Sequence, residues 1–238
     1  MPDTRTHRGP HPDDARLFGP EARPALREAA GDLAWLLSRG YVNPSALKLV
    51  GDRHRLTARQ RTAVERSTCS DADRARREAH RVDLREVEGR RLRLDGYNVL
   101  TTIEAALAGG VILAGRDGAY RDMAGMHGSY RKVAETRPAL ELLGRVIEAL
   151  APSEALWYLD RPVSNSGRLK KIIEDLAADR GWSWSVELVP DPDALLAETS
   201  EIVVTADSAI LDRCRAWCNL ARQTVTRHVP EADVVELG

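Results

Sequence analysis

Asp95, Asp160 and Asp207 each close a short apolar run: Leu92-Arg-Leu-Asp95, Leu156-Trp-Tyr-Leu-Asp160 and Ile202-Val-Val-Thr-Ala-Asp207. Carboxylates are hard oxygen donors suited to Mg²⁺ or Mn²⁺. Gathering three of them is costly without a cation, because like charges oppose each other's ionisation. With a cation present, water can be activated for in-line attack on a phosphodiester. A single aspartate after a strand is an ordinary turn former or helix cap. Three at strand ends, in a chain that alternates strand and helix, fit the carboxyl edge of a parallel sheet, where open α/β folds place their sites.

Other residues group around these three. After Asp95, Gly96 offers backbone freedom and Asn98 a helix cap. Glu104 on the helix that follows, or Asp117 in the turn sequence Gly115-Arg-Asp-Gly, could complete the ligand set, with Asp122 nearby. Ser164-Asn-Ser-Gly167 precedes a helix bearing Arg168, Lys170 and Lys171, so Ser164, Ser166 and Arg168 offer a phosphate site at a helix start. A plain N-cap with solvated basic residues is the equal alternative there. Asn98, Ser208 and Arg131 are further candidate substrate contacts. Of the six scattered histidines, His127, beside Gly125, Gly128, Ser129, Tyr130 and Arg131, is the one within reach of such a site. No GxxxxGK[ST], Gly-Xaa-Ser-Xaa-Gly or Gly-rich first turn is present, which disfavours a P-loop NTPase, a serine hydrolase and a dinucleotide enzyme.

The elements that must position these groups are legible from periodicity. Residues 1–24, with five prolines and few apolar residues, read as a loose arm. Residues 25–88 read as a helical domain: Leu26 to Leu37 at three-four spacing with Gly40 as stop, a helix from Asn43-Pro44, and a capping box at Thr57-Ala-Arg-Gln60. The mixed charges of 71–91 suggest an exposed connecting helix or an extended lead. From 89 to 238 the strands expected are those ending at Asp95, Val111–Ala114, Ala155–Asp160, Ser183–Val189, Ile202–Asp207 and an edge strand near Val234. A loop or short helix is expected over Tyr120–Lys132, and one helix from Ser208 to about Arg222 would put Cys214 and Cys218 on a common face. Helices of ten or more residues between strands require crossovers and a parallel sheet.

The 238 residues are 43% hydrophobic, 30% charged and 5% aromatic, with net charge −1. This is an ordinary soluble composition with an aliphatic core. No run approaches a membrane span, no apolar leader follows Met1, and three cysteines have no scaffold spacing, so a cytoplasmic protein is expected. The charge is uneven. Residues 1–93 hold 20 Lys+Arg against 14 Asp+Glu, nearly all of the basic ones Arg, the side chain suited to phosphate. Solvated helix faces in an Arg-rich protein are the alternative.

The stretches Leu94-Asp-Gly-Tyr-Asn-Val-Leu100, Asp160-Arg-Pro-Val-Ser-Asn-Ser-Gly167 and Val203-Val-Thr-Ala-Asp-Ser-Ala-Ile210 resemble the PIN-like nuclease superfamily, including its NYN branch. More narrowly, with Gly40-Tyr-Val-Asn-Pro-Ser-Ala-Leu-Lys-Leu-Val-Gly-Asp-Arg53 and Thr57-Ala-Arg-Gln-Arg61, the chain resembles a prokaryotic two-part group built from domains of unknown function 434 and 5616. The resemblance covers about residues 25–228. It implies a three-layer α/β/α PIN-like domain after the helical one, and acids at strand ends around Mg²⁺ or Mn²⁺. Asp95 matches the first-strand acid, Asp160 a middle acid and Asp207 the later one, while the helix acid is Glu104 or Asp117. The implied activity is metal-dependent cleavage of RNA. The alternative is an RNA-binding or regulatory protein with a degenerate domain.

Overall fold

The computed structural model describes residues 7–124 and 130–238; His127 and its glycine neighbours lie outside them. A helical segment comes first: α1 (Asp14–Leu17), α2 (Arg23–Leu37), α3 (Asn43–Arg53), α4 (Ala58–Ser67) and α5 (Asp71–Ala79). Local chemistry sets its boundaries. Gly40 takes the left-handed φ of +81° just beyond α2. Thr57 and Gln60 cap each other's backbone amides at the start of α4, and Ser70 caps α5.

The α/β portion follows as β1 (Arg91–Asp95), α6 (Gly96–Leu107), β2 (Ile112–Ala114), β3 (Tyr120–Asp122), α7 (Thr136–Leu150), β4 (Glu154–Asp160), α8 (Ser166–Arg180), β5 (Trp184–Val189), α9 (Pro192–Glu198), β6 (Ile202–Val204), α10 (Ser208–Leu211), β7 (Trp217–Cys218), α11 (Leu220–His228) and β8 (Val234–Glu236). Five strands form an all-parallel sheet in the order β5-β4-β1-β6-β7. The register pairs Asp95 with Tyr158 and Leu94 with Val204, so the ends of β1, β4 and β6 reach the same edge. Leu92, Leu94, Trp157 and Leu159 bury one face under α6, α7, α8 and α11. Val203, Trp217 and Tyr158 pack on the other against α9 and α10. Burial on both faces is what a parallel sheet requires.

Several expectations are corrected. The strand Val111–Ala114 does not join the parallel sheet; β2 pairs antiparallel with β3 and parallel with β8 in a separate three-stranded sheet. Tyr120–Asp122 is therefore a strand rather than a loop or helix. The stretch 208–222 is not one helix. It breaks into α10, β7 and α11, so Cys214 and Cys218 share no helix face; both, like Cys69, are buried free thiols. β6 stops at Val204, leaving Thr205 and Ala206 to lead into Asp207.

The arm is not loose from residue 7 onward. Leu17 and Phe18 are buried, and the core of the helical segment closes on Val111, Leu113, Val235 and Leu237 of the small sheet. Arg8 reaches the fully buried Glu104 with its Nε. Glu104 also accepts from the hydroxyls of Tyr130 at 2.5 Å and Thr136 at 2.6 Å. Burial raises the Glu104 pKa, against Arg8 and these hydroxyls.

Removing Arg8 leaves a buried carboxylate without its cation. Arg8→Ala should therefore cost about 3 kcal/mol or more at pH 8. An acid whose folded pKa is raised is penalised at high pH, so this loss should shrink as the solution is acidified and Glu104 takes a proton. Urea unfolding at pH 8 and pH 5 measures both values; a loss independent of pH would contradict the assignment.

Candidate functional site

At the carboxyl edge of the parallel sheet lies a cavity of about 570 Å³. Its lining includes Asp95, Asp160, Asp193 and Asp207, and also residues of the helical segment, among them Arg66 of α4, Arg77 of α5 and Cys69 between the two helices. The three aspartates expected from the strand pattern thus face one hollow. Asp193, at the start of α9, joins them. The strand-end pattern does not reveal it, because it stands four residues beyond β5, after Pro190 and Pro192.

The electrostatics follow from this crowding. Asp95 is buried and its pKa is pushed up to about 7, first by burial and then by the charges of Asp207 and Asp193. The Thr205 hydroxyl, donating to Asp95 Oδ2 at 2.7 Å, and the Asn98 amide pull the other way without winning. Asp193 is raised by burial and by Asp207, Asp160 and Asp191. Asp160 is raised by burial and by Asp191. Asp207 is also structural, for its Oδ1 accepts the amides of Ala209 and Ile210 and caps α10.

Gly96 does not serve by backbone freedom, since its φ is not positive. It permits close approach: a Cβ there would stand 2.6 Å from Leu159 Cδ2 and 2.8 Å from the Tyr158 carbonyl oxygen. Nor does Asn98 cap α6. It lies inside the helix, and its Oδ1 accepts the Ala206 amide at 2.8 Å, tying the loop before Asp207 to the segment after Asp95. Between them, Tyr97 is 3% exposed and lines the cavity, yet among the described residues its hydroxyl has no hydrogen-bond partner. Burial and the Asp160 charge raise its pKa.

Glu104 and Asp117 are drawn away from the acidic rim. Glu104 is held by Arg8, Tyr130 and Thr136 as described. Asp117 accepts a fork from Arg121, with Nη1 at 3.0 Å and Nη2 at 2.7 Å, and Arg77 Nη1 at 2.6 Å. Burial acts to raise its pKa, but Arg121 and Arg77 overcome this and hold it down at about 2. Asp122 does line the cavity, accepting from the Thr101 and Thr102 hydroxyls at 3.1 Å each. Ser208 lines it as well, its Oγ within 3.4 Å of donors on Arg77 and Arg121.

The Ser164, Ser166 and Arg168 group is not part of the wall. Ser164 and Arg168 are exposed, and the Ser166 hydroxyl donates to the Arg161 carbonyl. Asn165, rather than either serine, holds the N-cap position, in a left-handed conformation without a side-chain cap. The carbonyl of Arg131 accepts from Arg8. Much of the basic charge of the first half is used in ion pairs: Arg59 with Asp14, Arg61 with Asp52, Arg76 with Asp73, Arg77 with Asp212.

Among the described residues no group of three His, Cys, Asp or Glu side chains is placed so that it could hold a metal ion. Mg²⁺ does not demand one, since it keeps several waters and commonly takes one or two carboxylates plus substrate phosphate. The donor set, all carboxylate oxygen, and its mutual repulsion suit a hard divalent cation.

Fold and cavity together define an α/β protein whose N-terminal helical segment roofs an acidic pocket at the sheet edge. Residues 84–223 match the family described as Domain of unknown function (DUF5616), and residues 25–80 that described as Protein of unknown function (DUF434). An uncharacterized protein of Methanocaldococcus jannaschii is 30% identical over 187 residues, covering 79% of this chain and 89% of its own length. No solved structure matches the chain. The chain belongs to the DUF5616 family, in a form that carries the DUF434 segment ahead of it. No helix among the described residues is long and apolar enough to cross a membrane.

Two measurements check this geometry. Because the folded Asp95 keeps its proton to about pH 7 while the unfolded chain releases it near 3.8, stability falls as pH rises between those values. Asp95→Asn should remove a penalty of about 4 kcal/mol at pH 8, raising Tm there and matching the parent near pH 4. A Tm difference that does not change with pH would contradict the burial assigned to Asp95. Gly96→Ala, through overpacking against Leu159 and Tyr158, should cost about 1–3 kcal/mol in urea unfolding.

Proposed function

We propose that this cavity binds a divalent cation, Mg²⁺ or Mn²⁺, and that the protein hydrolyses a phosphodiester, with RNA the favoured substrate and PIN-like nucleases its more distant kin. The observation that carries the reading is the gathering of Asp95, Asp160, Asp193 and Asp207 around one hollow, with Asp95 pushed up to about 7. Perturbed carboxylates in a cleft are a recurrent mark of functional sites. Asp95, Asp160 and Asp207, with Asp193 beside them, would hold the ion. When bound, such an ion polarises phosphoryl oxygen and makes water a nucleophile at neutral pH. The chain's own contributions are positional. Thr205 fixes one oxygen of Asp95. Asn98 anchors the loop that presents Asp207. Residues of α4 and α5 complete the cavity's wall with Arg66 and Arg77. The preference for RNA rests on the resemblance of the strand-end motifs to PIN-like nucleases.

The helix-capping role of Asp207 favours a second reading, a protein that binds RNA without cutting it. One experiment separates the two. With Mn²⁺ at about 100 times its Kd, the folded state should gain about 2.7 kcal/mol over the EDTA-treated protein. Labelled single-stranded and structured RNA should be cleaved under the same conditions. Both effects should disappear in Asp95→Asn/Asp207→Asn. Cleavage that survives this double substitution would remove the proposal; RNA binding with neither turnover nor stabilisation by Mn²⁺ would establish the second reading in its place.

A further inference from the structure

We propose that Arg66, on α4, is the residue that binds the substrate's phosphoryl group, so that the helical segment supplies the cationic half of a site whose acidic half is the sheet edge. The inference rests on the reading that the cavity takes a phosphate ester.

An anion approaching four carboxylates needs a fixed positive charge as well as a metal. Three guanidinium groups line the cavity: Arg66, Arg77 and Arg121. Two are already neutralised. Arg77 holds Asp212 through Nε at 2.7 Å and Nη2 at 2.9 Å, and gives Nη1 to Asp117. Arg121 forks onto Asp117 and donates Nε to the Ala206 carbonyl at 2.7 Å. Arg66 differs. Its Nη1 donates to the carbonyls of Asp122 at 2.7 Å and Ala124 at 3.2 Å, and among the described residues it forms no ion pair. Carbonyls orient a guanidinium without cancelling its charge. The result is a half-buried fork, held in place, whose charge is still available. That is the group suited to a phosphate oxygen pair.

Tyr97 is the independent sign that a ligand belongs here. Its hydroxyl is buried on a residue that lines the same cavity, and among the described residues it lacks a partner. A hydroxyl left so costs stability unless something hydrogen-bonds to it. A phosphoryl oxygen held by Arg66 would be such an acceptor.

The test is calorimetric titration of the full chain with Mn²⁺ alone, and with adenosine 5′-monophosphate in Mn²⁺ and in EDTA. Arg66→Gln should bind Mn²⁺ as the parent does but bind the nucleotide at least about tenfold more weakly, the effect of losing a charge-assisted hydrogen bond. Arg66→Lys should recover part of that affinity, and it keeps the test valid if the glutamine variant does not fold. In any cleavage assay the loss should appear in KM before kcat. Nucleotide affinity within twofold of the parent in Arg66→Gln, or no nucleotide binding by the parent in either buffer, would overturn the assignment. Arg66-dependent binding in EDTA with no response to Mn²⁺ would instead uphold it while removing the cation site.

Discussion

The parallel register of β1, β4 and β6 is the constraint on which the site depends. Strands running the same way must end at the same edge, and Asp95, opposite Tyr158 and one step beyond Leu94–Val204, cannot avoid the ends of its neighbours. Side chains that a flexible chain would keep apart are thereby held facing one hollow. The central strand suffers most. Asp95, on β1, is the buried acid and the one raised to about 7, whereas Asp160 and Asp193 are raised from less deeply embedded positions nearer the open side. The cost is sustained because the sheet is packed on both faces by apolar side chains that do not depend on the acids.

Behind the acidic rim the same chemistry is run with the opposite sign. Asp117 is as buried as Asp95, but two guanidinium groups close on it and hold it ionised at about 2. Arg77 belongs to α5, Arg121 to β3 and Asp212 follows α10, so this one cluster joins the helical segment, the small sheet and the loop after β6. The Arg77 carbonyl is engaged as well, accepting the Trp217 indole N–H at 2.7 Å. A buried ion pair contributes little net stability but is costly to break. Its effect here is to fix the wall against which Ser208 and Asp207 stand.

The strands ending at Asp95 and Asp160 are legible in the sequence because each is a short run with buried apolar residues closed by an aspartate and followed by a helical pattern. The capping box at Thr57 is legible because both of its partners are local. What cannot be read depends on distant partners. Nothing near Glu104 announces that Arg8, 96 residues earlier, will lie against it. Asp117 and Asp95 are both aspartates beside a glycine, and only the approach of Arg77 and Arg121 makes one a structural anion and leaves the other a strained one. The break in 208–222 has the same origin: Asp212 and Trp217 are drawn to α5, and two residues of strand pair with β6 where periodicity alone favours a helix. Strands of three residues, as in the small sheet, are too short to show an alternation.

The helical and α/β segments are tied together by apolar and polar contacts, and this bears on how the site works. Val111, Leu113, Val235 and Leu237 offer the small sheet's outer face, and without the helical segment that face would meet water. Covering it brings α4 and α5 over the acidic edge, with Arg66 bound to the carbonyls of Asp122 and Ala124. The roof then does two things at once. It completes a wall of the cavity that holds carboxylates repelling one another. It also sets a guanidinium opposite them. A sheet edge without the helical segment would have the acids but neither this wall nor Arg66, so both family segments contribute side chains to the one pocket.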